Sequence, residues 1–175
     1  MALHEQSVGA TDEWYTPPFV FQKLACEFKD DVASPGYDTT PWIPADRFII
    51  RNSLSVTWEG FVWMNPPFGK RNGLVPWLAK FFEHGDGIAL VPDRTSAPWW
   101  QQFAPKADRI LFVSPKLKFI DADGQPGTSP AQGTCLFGLG PNSIKPLHRA
   151  AAEGLGMLMQ PTIVQPFAAD NRRTK

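Results

Sequence analysis

From residue 60 to residue 113 the chain alternates short, wholly apolar runs with stretches whose apolar residues recur at helical spacing. Phe61-Val62-Trp63-Met64 is apolar at every position, bounded by Glu59-Gly60 before it and Asn65-Pro66-Pro67 after it. A run without polar alternation marks a strand covered on both faces, and two successive prolines cannot extend a central strand. Leu74, Trp77, Leu78, Phe81 and Phe82 then predict a helix with one apolar face, stopped by Gly85. Ile88-Ala89-Leu90-Val91 reads as the next buried strand, closed by Pro92. A short helix around residues 99–103 precedes a strand at 110–113. Strands alternating with helices predict βα units and a mostly parallel sheet.

The pattern is less regular on either side. Thr16 suits a helix N-cap and Pro17 a first helical residue, with Phe21, Leu24, Ala25 and Phe28 following at helical spacing. Residues 30–33 fit a short strand or a tight turn, and 34–57, rich in Pro, Thr and Asp, have no assignable period. Lys116-Leu117-Lys118-Phe119 alternates, a Gly/Asp-rich turn follows at 121–127, and residues 134–139 are apolar. Together they predict a C-terminal antiparallel hairpin. A last helix is expected from near Pro146 through the alanines at 150–152. With no repeat or linker, residues 1–175 read as one α/β domain, with flexible tails at 1–13 and 171–175.

Composition narrows the function classes. Lys+Arg and Asp+Glu both total 17, so bulk charge is not what holds a nucleic acid here. A local basic face is still open, because Arg47, Arg51, Lys70, Arg71, Arg94, Lys106, Arg109, Lys116 and Lys118 share the middle of the chain. The heavy aromatic load serves core packing first, with some rings available to stack on a ligand or a base. Cys26 and Cys135 are far apart and no Cys/His spacing fits zinc. His4, His84 and His148 form no triad or metal spacing. Without a signal-peptide core or an apolar run near the roughly 20 residues of a membrane span, a soluble cytoplasmic protein is expected.

The sharpest chemical signal is Asn65-Pro66-Pro67-Phe68 at the end of a buried strand. An exocyclic base amine is a poor nucleophile, because its lone pair is delocalised into the ring. A site that methylates it needs acceptors for its N–H groups, which favour a more tetrahedral nitrogen with its lone pair free for the methyl donor. The Asn65 side-chain oxygen and the Pro66 carbonyl are such acceptors, and Phe68 can stack on the base. A base within a duplex is out of reach, so the target is single-stranded or flipped out. The work is positioning and electrostatics, with no strong general base. A plain proline-rich loop after a strand is the alternative.

Several segments carry a resemblance in their shared order: Asp12-Glu13-Trp14-Tyr15-Thr16-Pro17-Pro18, then Trp58-Glu59-Gly60-Phe61-Val62-Trp63-Met64-Asn65-Pro66-Pro67-Phe68-Gly69. Ala89-Leu90-Val91-Pro92 with Arg94-Thr95, Trp99, Lys116-Leu117-Lys118-Phe119, and Ser129-Pro130 before Cys135-Leu136-Phe137 complete it. Over roughly residues 12–140 the chain resembles the phage- and prophage-encoded DNA N6-adenine methyltransferases. The resemblance implies a Rossmann-like methyltransferase fold, S-adenosylmethionine as donor, adenine N6 in DNA as acceptor, and the host cytoplasm as location if phage-encoded. It puts Tyr15, Thr16, Pro17, Asp31, Ala33 and Asn52 on the donor side, and Asn65, Pro66, Pro67 and Phe68 at the base.

There are departures on the donor side. The family's Phe-Asp-Leu-Asp-Val-Ala falls on Phe28-Lys29-Asp30-Asp31-Val32-Ala33, so Lys29 replaces the first carboxylate while Asp31 keeps the second. The family's Asp-Gly-Leu falls on Asn52-Ser53-Leu54, and no Gly-x-Gly loop lies near Asp31. Lys70, Arg71, Arg94, Lys116 and Lys118 are candidate phosphate contacts, each also compatible with an ordinary solvated surface. Two other readings stand beside adenine methylation. One is methylation of cytosine N4 or protein glutamine through the same motif. The other is a catalytically inactive DNA-binding protein on the same scaffold. With roughly 140 residues taken by the catalytic fold, little chain is left for target recognition. A short or relaxed sequence preference is expected, read by loops at 34–57 and 121–132.

Overall fold

In the computed structural model the apolar runs form the centre of one seven-stranded sheet. Its residues 15–68, 73–121, 123–127 and 132–162 are described. The expected tails, Trp14, Lys70, Arg71 and Ser129-Pro130 lie outside the described residues. The strands are β1 (Phe28–Asp31), β2 (Ala45–Phe48), β3 (Val62–Met64), β4 (Gly87–Pro92), β5 (Arg109–Val113), β6 (Thr134–Leu139) and β7 (Gly156–Met159). The helices are α1 (Pro18–Leu24), α2 (Val75–His84), α3 (Pro98–Phe103) and α4 (Pro141–Ala152). Sheet order is β2-β1-β3-β4-β6-β5-β7. The strands β2, β1, β3 and β4 run parallel, whereas β6 is antiparallel to both β4 and β5, and β7 to β5. The protein is thus a mixed α/β fold, parallel on one side and antiparallel on the other.

Two apolar layers sandwich the sheet, and the strand pleat sorts residues between them. On one face Val62, Met64, Ala89, Val91, Cys135 and Phe137 pack with Leu78 and Phe81 of α2 and Trp99, Trp100 and Phe103 of α3. On the other, Trp63, Ile88, Leu90, Leu111 and Leu136 pack with Val20, Phe21 and Leu24 of α1 and Leu147 and Ala150 of α4. Burial on both faces is why β3, β4 and β6 read as continuous apolar runs. Every one of these helices starts with a proline in its first two positions and none has a side-chain cap. Proline suits that turn because its missing N–H would have had no partner there.

The local expectations need five corrections. The α1 cap is Pro17, not Thr16, and the helix stops at Leu24, where Ala25 turns left-handed at φ 46°. Phe28 therefore opens β1 rather than continuing the helix. Residues 34–57 contain β2, an edge strand whose polar Asp46 and Arg47 hid it. The antiparallel partner of β6 is not 116–119; β6 inserts between β4 and β5. Finally, α4 begins at Pro141, five residues before Pro146, and β7 follows it unforeseen.

Helix α4 seats closely on β6 because Gly138 has no side chain. A Cβ there would lie 2.4 Å from Leu147 Cδ1 and 2.8 Å from Ser143 Oγ. Gly138→Ala is expected to destabilise the fold by about 1–3 kcal/mol through overpacking. Urea unfolding would show the midpoint falling; a rise, as at an unconstrained glycine, would contradict this packing.

Candidate active site

The sheet brings two of the predicted site segments, Asp31 with Ala33 and Asn65 to Phe68, to one edge. Chain connections leave β1 towards β2 on one side, while β3 lies on the other, so a topological switch point falls between β1 and β3. Open α/β sheets bind ligands in such a crevice, outside the carboxyl ends of the strands. Asp31 ends β1 directly beside Trp63 of β3, and the Val32 N–H donates to the Trp63 carbonyl at 2.9 Å. Asn65 follows one residue after β3 ends. Asn65 and Phe68 are half-buried, Pro66 is buried and Pro67 exposed. The two halves expected from the sequence are therefore neighbours by strand pairing alone.

Asp31 is almost wholly buried. It takes hydrogen bonds from the Ser34 hydroxyl and the Ala33 N–H, yet desolvation prevails and lifts its carboxyl to about 7. Its Oδ2 has no partner. Thr16 presents a second buried orphan, Oγ1, while its carbonyl accepts the Trp42 indole N–H at 2.9 Å. A buried polar atom left unpaired costs about 1–3 kcal/mol, and both of these lie in the segments assigned to the donor. Pro17 caps α1 next to Thr16.

The replaced carboxylates sit differently. Lys29 points to the surface and pairs with Asp46 at 3.2 Å. Asn52 is exposed and left-handed at φ 52°, a conformation asparagine tolerates. Its carbonyl accepts the N–H groups of Ser55 and Val56, so it forms the turn after β2. That loop is pinned by Trp58 Nε1 donating to the Ser53 carbonyl and by Lys80, which bonds the Ser53 and Val56 carbonyls.

A link that sequence reasoning missed closes the other side. Tyr15 is buried and exchanges two backbone hydrogen bonds with Ile120, both 2.9 Å. Phe119, the preceding residue, is buried and meets Phe68 edge-on, with ring centroids 6.4 Å apart. The only trace of this in the sequence is the alternation of 116–119, where Lys116 and Lys118 are exposed and Leu117 and Phe119 buried.

The structure also sorts the basic residues. Arg51, Arg94, Lys116 and Lys118 are exposed and follow the carboxyl ends of β2, β4 and β5, at the edge that carries Asn65. Arg47 is committed elsewhere, to buried Asp30 at 2.5 and 2.7 Å and to Glu59 at 3.1 Å. Lys106 precedes β5 and Arg109 starts it, at the opposite edge. A groove of about 600 Å³ runs along α1 and is lined by Phe21, Cys26, Glu27, Trp42 and Pro44, among others. It lies towards the amino ends of β1 and β2 and contains none of the predicted site residues. Its Cys26 thiol is pushed up to about 12 by burial, which leaves it a poor nucleophile at neutral pH. Among the described residues no group of acidic, His or Cys side chains is arranged to hold a metal ion, and no helix is long and apolar enough to cross a membrane.

The carboxyl edge of this open α/β sheet thus carries an amide and two prolines after β3, beside the buried carboxylate that ends β1. The family model described as DNA N-6-adenine-methyltransferase (Dam) matches residues 5–139. The chain belongs to that family of DNA adenine methyltransferases. No curated protein and no solved structure was found to match it.

The raised carboxyl of Asp31 has a consequence for the ligand-free protein. From pH 3.8, its ordinary value, to about 7, the unfolded chain releases this proton while the folded chain keeps it. The contribution to stability is fully present below pH 3.8 and lost as the pH rises through about 7. Asp31→Asn should therefore unfold at a higher temperature than wild type at pH 8, with the gap closing towards pH 4. Thermal unfolding at both pH values checks this; equal stability at pH 8 would refute it.

Proposed function

We propose that the chain transfers a methyl group from S-adenosylmethionine to the N6 amine of an adenine in DNA, within a Rossmann-like methyltransferase fold. The observation that carries the reading is the pairing of β1 with β3, which sets Asp31 and the Asn65-Pro66-Pro67-Phe68 segment side by side in a protein of the Dam family.

The residues present suit that donor. S-adenosylmethionine offers N–H and O–H donors on its ammonium and ribose, and the orphaned Asp31 Oδ2 and Thr16 Oγ1 are acceptors for such groups. Tyr15, Pro17, Ala33 and Asn52 complete the candidate donor side. When bound, it supplies a methyl group made electrophilic by the sulfonium to which it is attached. An ionised Asp31 is favoured by a neighbouring ammonium, which reverses the desolvation that raises its carboxyl.

On the acceptor side, the Asn65 side-chain oxygen and the Pro66 carbonyl take the two amine N–H groups. They draw the nitrogen lone pair out of conjugation and towards the methyl group. Pro66 and Pro67 hold that carbonyl in a restricted backbone, so little reorganisation is needed as charge develops. Phe68 stacks on the base, which enters flipped out or from a single strand. Asn65, being an amide, takes no proton, so the amine proton leaves to water. Arg94, Lys116 and Lys118, with Arg51 nearby, and Lys70 and Arg71 from outside the described residues, contact phosphates.

Incubation with unmethylated DNA and the donor, followed by digestion and mass spectrometry, should yield N6-methyladenine. Asn65→Ala should lower the rate by about 10²–10³-fold, the usual effect of removing one preorganised transition-state hydrogen bond. Product confined to cytosine N4, or equal rates for wild type and variant, would overturn the assignment. Arg94→Ala should weaken DNA binding uniformly across sequences and reduce the salt dependence by about one counterion. A titration over salt concentration measures this, and an unchanged slope would remove Arg94 from the interface.

A further inference from the structure

We propose that Phe119 is a positioning residue that couples the donor side of this site to the base side, so that occupancy of one favours occupancy of the other. The inference rests on the methyltransferase reading above and adds a thermodynamic link between its two ligands.

The path is short and made of contacts of known kind. Thr16 carries a buried hydroxyl without a partner, and a ligand that satisfies it fixes the backbone on either side. The residue before it, Tyr15, is clamped to Ile120 by two reciprocal hydrogen bonds of 2.9 Å. Ile120 also bridges Pro126, and the Gly127 N–H donates to the Phe119 carbonyl at 2.7 Å. Phe119 is thus held by backbone on both flanks, and its ring meets Phe68 at 6.4 Å with an interplanar angle of 83°. Phe68 is the last residue of the amine-binding segment and the ring proposed to stack on the base. Two covalent steps, one hydrogen-bonded pair and one ring contact therefore connect Thr16 to Phe68.

The energetic logic follows from order. Fixing a side chain costs conformational entropy, and a second ligand that meets an already ordered site is spared that cost. Donor binding at Thr16 orders Tyr15, hence the segment at residues 119–120 and the face of Phe68. By linkage, a base stacked on Phe68 must tighten donor binding by the same factor. The buried Leu117 anchors the segment in the core, so the movement needed is a small change in ring and backbone order rather than a hinge.

The test uses the full chain and S-adenosylhomocysteine, the demethylated donor product, titrated calorimetrically with and without a saturating adenine-rich single-stranded oligonucleotide. Wild type should bind the nucleoside at least about fivefold more tightly when the oligonucleotide is present, within the usual span of such couplings. Phe119→Leu keeps the site apolar but removes the ring edge. It should bind each ligand alone within about threefold of wild type while the coupling factor falls towards one. Binding of both ligands by wild type without coupling, or undiminished coupling in the variant, would overturn this inference and leave the methyltransferase reading intact. Binding of neither ligand would overturn both. Hydrogen exchange on wild type covers a variant that fails to fold. The nucleoside alone should slow exchange at residues 68 and 119–120 as well as at 15–16, and protection confined to 15–16 would refute the coupling.

Discussion

The parallel pairing of β1 with β3 is the constraint on which the rest of the site depends. Strands that pair in register bring their ends to the same height, so Asp31 and Asn65, 34 positions apart in the chain, emerge side by side. The sheet then supplies the remaining parts in order of distance. The carboxyl end of β2 brings the turn at Asn52, that of β4 brings Arg94, and that of β5 brings the segment with Phe119. The pairing is itself secured by charge. Asp30 points into the protein with no exposure and is held by the Arg47 guanidinium and the Glu59 N–H, which ties β1 to β2 and to the approach to β3. Removing one partner of a buried ion pair leaves the other uncompensated, so this contact, though distant from any chemistry, fixes the register of the switch point.

The core packs directly beneath the edge that carries the candidate residues. Trp63, between the two halves of the site, is fully buried against Phe21 and Phe28, with ring centroids at 4.8 and 5.6 Å. Asp31, paired with Trp63 across the sheet, and Thr16, ahead of α1, keep buried oxygens without partners. Holding Asp31 out of water raises its carboxyl to about 7, so its ionised form costs stability in the folded chain.

Legibility in the sequence followed burial. Strands covered on both faces, β3, β4 and β6, showed as apolar runs, and α2 and α3 as apolar stripes. Edge strands did not show. In β2, Asp46 and Arg47 face solvent or an ion pair, and β7 is four residues with two exposed methionines. β1 was ambiguous because Lys29-Asp30-Asp31 looks like a turn until Arg47 is known to neutralise Asp30. The start of α1 was misplaced by one residue because Thr16 and two prolines offer competing first-turn chemistry, and the Thr16 hydroxyl makes no cap hydrogen bond. Within the candidate site, the Asn-Pro-Pro-Phe segment stood out in the sequence because its four residues are contiguous and end a buried strand. The contact of Phe119 with Phe68 was not, since it joins residues 51 positions apart through a bridge to a third segment.

The insertion of β6 between β4 and β5 also sets an order of assembly. Strands β2, β3 and β4 each pair with a strand that precedes them in the chain. β5 has none until residues 134–139 arrive to bridge it to β4. The segment that follows β5, with Phe119 and Ile120, is anchored only then, and Tyr15 waits for it from the other end of the chain. The bridge between Tyr15 and Ile120 therefore forms only when the first and last thirds of the polypeptide meet.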